Sequence, residues 1–353
     1  MDMSEFSDAQ VIDCHTHLWM LRNKIDAESL RLQGEALEET IMDAPLSQMY
    51  IFGGRGNPAL YLKARYHSKF YAGGYAPWSG DTLGLKVDWP SYINSLKDLG
   101  YDGLGEMGSK PVTRDKHTPL DSTYYEGLWD SCESEQFPVL CHVGDVEDFW
   151  HPELTPEWAK VRGWGYWKDD YPKMEELWIE IGNVLNNHPN LKIVLCHFLF
   201  MSPHMERLEE FLYNHKNAHI DLTPGVELIY NISRRRDEWR GFFIEHDDRI
   251  LFGTDIGMST TKPQHLARIW LLRKFLETSE EYYTPEEADD TLTRYEKPFV
   301  GMSLPRSSYE KIYSGNFRRL WGERPQPVNI DAAIAESETR GETTVANALR
   351  NLN

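Results

Sequence analysis

PVLCHV (138–143), MEELWIEIGNVLNNH (174–188) and KIVLCHF (192–198) read as a strand, a helix and a second strand. The two short runs are apolar and carry β-branched residues, as strands covered on both faces do. The segment between them places Leu177, Ile181, Val184 and Leu185 on one helical face. A strand, a crossover helix and a second strand make a parallel unit. The alternation continues in both directions. AQVIDCH (9–15), MYIFGG (49–54), KFYAGGYA (69–76) and DGLGEM (102–107) precede it, and AHIDLT (218–223) and RILFGTD (249–255) follow. YEGLWDSCESEQ (125–136), MERLEEFLYNHK (205–216) and PQHLARIWLLRKFLETSEE (263–281) carry the helical pattern. Eight strand–helix units predict an α/β fold, a single (β/α)8 TIM barrel over residues 1–325.

After ERPQPVN (323–329) the chain becomes polar and alanine-containing, so residues 326–353 are expected to form an appended C-terminal helical segment. GGRGN (53–57) lacks the order of a dinucleotide fingerprint and reads as a turn. Two connections are long for a compact domain, 144–172 and 280–310. The first carries Trp150, Trp158, Trp164 and Trp167. Both are expected over the C-terminal face of the barrel, as a lid or as a cover for its mouth.

Composition narrows the function. Of 353 residues, 41% are hydrophobic and 26% charged, and no run approaches the roughly 20 apolar residues of a membrane span. The acidic opening MDMSEFSDAQ has neither the basic start nor the apolar stretch of an export signal, so a cytoplasmic location is expected. Four cysteines do not make a disulfide framework in a chain this long. A net charge of -19 repels a phosphate backbone, and Arg234, Arg235 and Arg236 beside Asp237 and Glu238 read as a solvated helix face. The expected partner is a small-molecule substrate, not nucleic acid or membrane, and self-association into a homo-oligomer stays open.

VIDCHTHL (11–18) brings in the chemistry. A strand's period of two predicts Asp13, His15 and His17 on one face and Cys14 on the other. His142 and His197 close the two strands quoted first, and Asp255 closes RILFGTD. Barrel active sites are assembled at these carboxyl ends. Imidazoles with a carboxylate suit a divalent transition metal, zinc first among them, and an incompletely filled site keeps a position for water. By the same period Cys141 and Cys196 are expected to face the surrounding helices. Glu106 ends the fourth strand, where it either bridges two metals or hydrogen-bonds a ligand.

VIDCHTHL, PVLCHVGD (138–145), PNLKIVLCHF (189–198), DLTPGVE (221–227), DRILFGTDIG (248–257) and YSGNFRRLWG (313–322) occur in the order of the amidohydrolase superfamily of metal-dependent (β/α)8 hydrolases. The chain resembles particularly the amidohydrolase-related branch, which also contains decarboxylases. The resemblance implies that His15, His17, His142 and Asp255 hold the metal, with His197 beside it. It implies further that Asp255 receives a proton from water while His197 polarises the substrate or moves protons. Many binuclear relatives carry a carboxylated lysine after the fourth strand, whereas this chain has GLGEMG (103–108) and no lysine before Lys110. GLGEMG is similar to the TatD-like deoxyribonuclease branch, where such a glutamate bridges two metals and the sixth-strand histidine is also a ligand. One or two ions are therefore expected.

Three functions fit these residues. The first is hydrolysis of a small amide, ester or lactone by activated water, with Asp255 as proton acceptor. The second is nonoxidative decarboxylation of a small carboxylic acid. The third is a barrel that binds a ligand without turning it over, which retention of the whole set of strand-end residues argues against.

Overall fold

The structure, a computed structural model, describes residues 1–21, 25–53, 57–75, 87–114, 118–167, 171–225, 227–257, 261–292 and 294–352. Most of the turn expected at GGRGN, residues 54–56, lies outside the described residues, as do residue 76 of the third expected strand and 168–170 of the tryptophan-rich connection.

The eight expected strands are present: β1 (Ile12–His17), β2 (Gln48–Phe52), β3 (Phe70–Tyr75), β4 (Gly103–Ser109), β5 (Val139–Val143), β6 (Ile193–Leu195), β7 (Ala218–Asp221) and β8 (Ile250–Leu251). They run parallel in sequence order in one sheet. The ring closes between β8 and β1, where Cys14 N donates to Phe252 O (2.9 Å), Asp255 N to His15 O (3.0 Å) and His17 N to Ile256 O (2.7 Å). Asp13 completes this seam. Its fully buried carboxylate accepts from Thr254 N (3.1 Å), Thr254 Oγ1 (2.5 Å), His15 N (3.0 Å) and Thr16 Oγ1 (3.1 Å). Four donors satisfy a charge that would otherwise be costly to bury.

Two apolar layers hold the barrel. Inside the ring pack Ile12, Cys14, Tyr50, Phe52, Tyr71, Leu140, Val194 and Leu251. Outside it, Met49, Ile51, Phe70, Val139, Cys141, Ile193 and Leu195 join the core made with the helices. The floor is aromatic: the helix Asn316–Trp321 inserts Phe317 and Trp321, stacked at 4.7 Å, with Tyr50 at 5.2 Å from Trp321. Tyr50 and Phe52 need room opposite, and glycines on β3 and β4 supply it. A Cβ on Gly105 would stand 2.4 Å from Phe52 Cβ, and one on Gly73 would stand 2.7 Å from Gly105 Cα.

Helices α1 (Ala27–Asp43), α2 (Pro58–Arg65), α3 (Trp89–Leu99), α4 (Thr123–Ser134), α5 (Met174–Asn187), α6 (Met205–Asn214) and α7 (Arg236–Glu245) lie in the crossovers between successive strands, and α8 (Lys262–Glu277) follows β8. The C-terminal segment forms α9 (Ile330–Thr339) and α10 (Thr343–Arg350), which lie against α3 and against α1 and α2. No helix among the described residues is long and apolar enough to cross a membrane.

A buried ion pair ties the C-terminal approach to the barrel. Lys63 Nζ donates to Asp102 Oδ2 (2.6 Å) and Gly100 O (2.7 Å), while Asp102 accepts from Ala72 N and Gln326 N, each at 2.7 Å. Replacing Lys63 by methionine strands a buried carboxylate without its cation. The variant is expected to lose about 3–5 kcal/mol of unfolding free energy. Urea denaturation checks this, and a midpoint equal to wild type contradicts it.

Candidate functional site

The site is built where regular strand alternation fails. On β5 the alternation holds as expected, with Val139, Cys141 and Val143 in the outer layer and Leu140 and His142 turned inward. On β1 it does not. Cys14 belongs to the interior with Ile12, and Asp13 points into the seam instead of sharing a face with both histidines. The pairing of β1 with β2 slips between Asp13 and Thr16. Such a bulge re-aims the following side chains, and His15 and His17 both end against the interior Phe52, at 5.4 and 4.6 Å between rings. The pairing of β4 with β5 slips likewise between Leu104 and Met107, beside Glu106.

Cys196 was expected to face the helices; it lies in the barrel interior, with its sulfur in one group with donor atoms of His15 and Glu106. The alternation of β6 carries on through it, with Ile193 and Leu195 outside and Val194 and Cys196 inside. The residue that departs is His197, because His197, Phe198, Leu199 and Phe200 all have φ between 54° and 57°, a left-handed turn that brings the His197 ring beside His15 and His142. Asp255 is also left-handed, at φ 54°. Non-glycine residues pay roughly 1–2 kcal/mol each for that conformation. It persists where surrounding contacts impose it, commonly at functional sites.

These distortions bring the six predicted site residues together. Donor atoms of His15, His17 and Asp255 lie within 4.8 Å of one another, as do those of Glu106, His142 and His197. His17 Nε2 is 3.2 Å from Asp255 Oδ1 and 3.4 Å from Glu106 Oε2. Glu106 Oε1 lies 3.6 Å from His15 Nε2 and 2.7 Å from His142 Nδ1, so this carboxylate stands between the two groups. The His142 and His197 rings are 4.6 Å apart, and His197 stacks on Phe200 at 5.0 Å.

Charge is unevenly distributed here. Burial would raise the carboxyls of Glu106 and Asp255, but the surrounding histidines hold both well below the usual range, so both are ionised. Burial pulls the His15 imidazole down, yet the Asp221 hydrogen bond and the charges of Asp221, Glu106 and Asp255 outweigh it and push His15 up to about 9. His197 goes the other way, to about 3, through burial and then the neighbouring His142. It is neutral near pH 7.

The donor set fits a divalent metal. His15 Nε2, His142 Nε2 and His197 Nδ1 are buried without a hydrogen-bond partner, which buried polar atoms rarely are. The cluster of carboxylates demands positive charge beside them, which a proton on His15 or a divalent cation supplies.

The tryptophan-rich connection packs on itself. Phe149, Trp158 and Trp164 touch at 5.8–6.4 Å, and Trp150 meets Tyr166 at 4.8 Å. It is tied to strand ends through Asp145, which accepts from Tyr166 (3.0 Å) and pairs with Lys110 (3.2 Å), whose ammonium lies 3.5 Å from the Trp164 ring. The second long connection contains a short antiparallel ribbon, Glu281–Tyr282 with Phe299–Val300. It is anchored by buried Arg268, which bonds Asp289 and the carbonyl of Thr254.

Sequence reasoning assigned no role to Asp221 and Thr223, although both stand in DLTPGVE. Asp221 Oδ2 is 2.9 Å from His15 Nδ1, its Oδ1 accepts from His197 N (2.7 Å), and Thr223 Oγ1 is 3.1 Å from His15 Nδ1. Their signal was position, since polar residues closing an apolar strand face the same end of the barrel as the histidines.

No curated protein matches the sequence. Solved structures share the fold at low identity. A putative amidohydrolase from Staphylococcus aureus is 16% identical, with a TM-score of 0.53 over 89% of this chain and 99% of that one. A probable 2-pyrone-4,6-dicarboxylic acid hydrolase from Acinetobacter baumannii is 12% identical, with a TM-score of 0.52 and the same coverages. 5-Carboxyvanillate decarboxylase from Sphingomonas paucimobilis is 10% identical, with a TM-score of 0.50, again over 89% and 99%. The amidohydrolase family model matches residues 93–322, nearly two-thirds of the chain, from α3 to the floor helix of the barrel. With eight parallel strands in order and the strand-end histidines and carboxylates gathered at one mouth, the chain belongs to the amidohydrolase family.

Proposed function

We propose that the protein is a metal-dependent hydrolase of a small-molecule amide, ester or lactone. The observation that carries this reading is the ionised Asp255, 3.2 Å from His17, in a cluster where buried nitrogens of His15, His142 and His197 have no hydrogen-bond partner. His15, His17, His142 and Asp255 would hold a divalent cation, zinc first given imidazole and carboxylate donors, with Glu106 able to join a second ion. When bound, the cation supplies Lewis acidity and lowers the pKa of water.

The chain's own residues do the rest. Asp255 accepts the proton of the attacking water through a carboxylate oxygen. Neutral His197 presents a nitrogen that hydrogen-bonds the substrate and moves a proton to or from it. The aromatic connection between Asp145 and Tyr166 restricts solvent at the mouth, which strengthens every polar interaction inside.

The test is turnover in ¹⁸O-labelled water of the metal-loaded protein with pooled lactones, amides, esters and aromatic acids. Solvent oxygen in a product is the expected outcome. Stoichiometric carbon dioxide, deuterium on the carbon that lost it when the solvent is deuterated, and no solvent oxygen in the product would replace hydrolysis by decarboxylation.

A further inference from the structure

We propose that Asp221 is a positioning residue that sets two histidines from one carboxylate: Oδ2 fixes His15 with its proton on Nδ1 and Nε2 turned to the centre, while Oδ1 pins the backbone of His197. The inference rests on the metal reading of the site.

Asp221 ends β7 and is fully buried. A carboxylate only accepts hydrogen bonds, so at 2.9 Å the shared proton belongs to His15 Nδ1. That leaves Nε2, which has no partner, as the nitrogen beside Glu106 and Asp255. The other oxygen takes His197 N at 2.7 Å and Thr223 N at 3.1 Å. Without it, the amide that opens the left-handed turn His197–Phe200 would be buried with no acceptor. The device joins β1, β6 and β7: the ligand geometry of His15 and the placement of the His197 ring depend on the same side chain.

Asp221→Asn separates this role from mere packing. The amide keeps the shape and an oxygen for His197 N, but its NH2 then meets His15 Nδ1 and forces the imidazole proton onto Nε2, where it blocks ligation. Zinc affinity, measured by chelator competition, should weaken by about 10- to 100-fold while the thermal midpoint stays near that of wild type. ¹⁵N chemical shifts of histidine-labelled wild-type protein loaded with zinc should show the His15 proton on Nδ1; this second measurement does not require the variant to fold. A folded Asp221→Asn protein with wild-type zinc affinity, or a zinc-loaded wild type with the His15 proton on Nε2, overturns the proposal. Wild-type protein that takes up no zinc overturns the metal reading and the proposal with it.

Discussion

Replacing His15 and His17 together by alanine should remove bound metal and activity at once, with the barrel intact. Both side chains lie in the cluster at the end of β1, and His17 is within 3.4 Å of both Glu106 and Asp255. Their loss removes two of the imidazoles that hold the buried Glu106 and Asp255 carboxyls below the usual range. Folding is expected to survive, because the seam between β8 and β1 is held by backbone bonds and by Asp13, which the substitutions do not touch. Turnover should fall to background, since a water that is not acidified has a pKa near 15.7. Elemental analysis with circular dichroism reads both parts, and a folded double variant with undiminished metal refutes the assignment of these ligands.

His197→Asn should lower turnover by at least about a hundredfold, the low end of general acid–base contributions. Asparagine is close in size, can continue the buried contact with Phe200, and tolerates the left-handed backbone better than most residues, so the turn at φ 55° is kept. What disappears is a neutral imidazole able to carry a proton, held neutral by burial and the adjacent His142. Near-normal turnover would reduce His197 to a structural role. A metal content one ion lower than wild type would make it a ligand in a two-metal centre.

The parts of the fold legible in the sequence are those that obey simple periods. The β5–α5–β6 unit reads directly, and His142 faces inward because β5 alternates without interruption. Two expectations failed: Asp13 on the histidine face, because a register slip resets β1, and Cys196 toward the helices, because β6 keeps its alternation through Cys196 and a left-handed turn, not the strand period, brings His197 to the centre. A strand pattern carries no mark of a bulge. The ribbon Glu281–Tyr282 with Phe299–Val300 is too short to give a periodic signal. The site residues themselves were legible because they sit at strand ends, and convergence there is a property of the barrel and not of the spacing in any one motif.

The central claim is that the strand-end histidines and carboxylates hold a metal, and the metal content of the purified wild-type protein tests it most directly. The account predicts one or two equivalents of a divalent transition metal per chain, removable by a chelator and restored together with activity on adding zinc. Substoichiometric traces that neither rise when zinc is supplied nor track activity would contradict it.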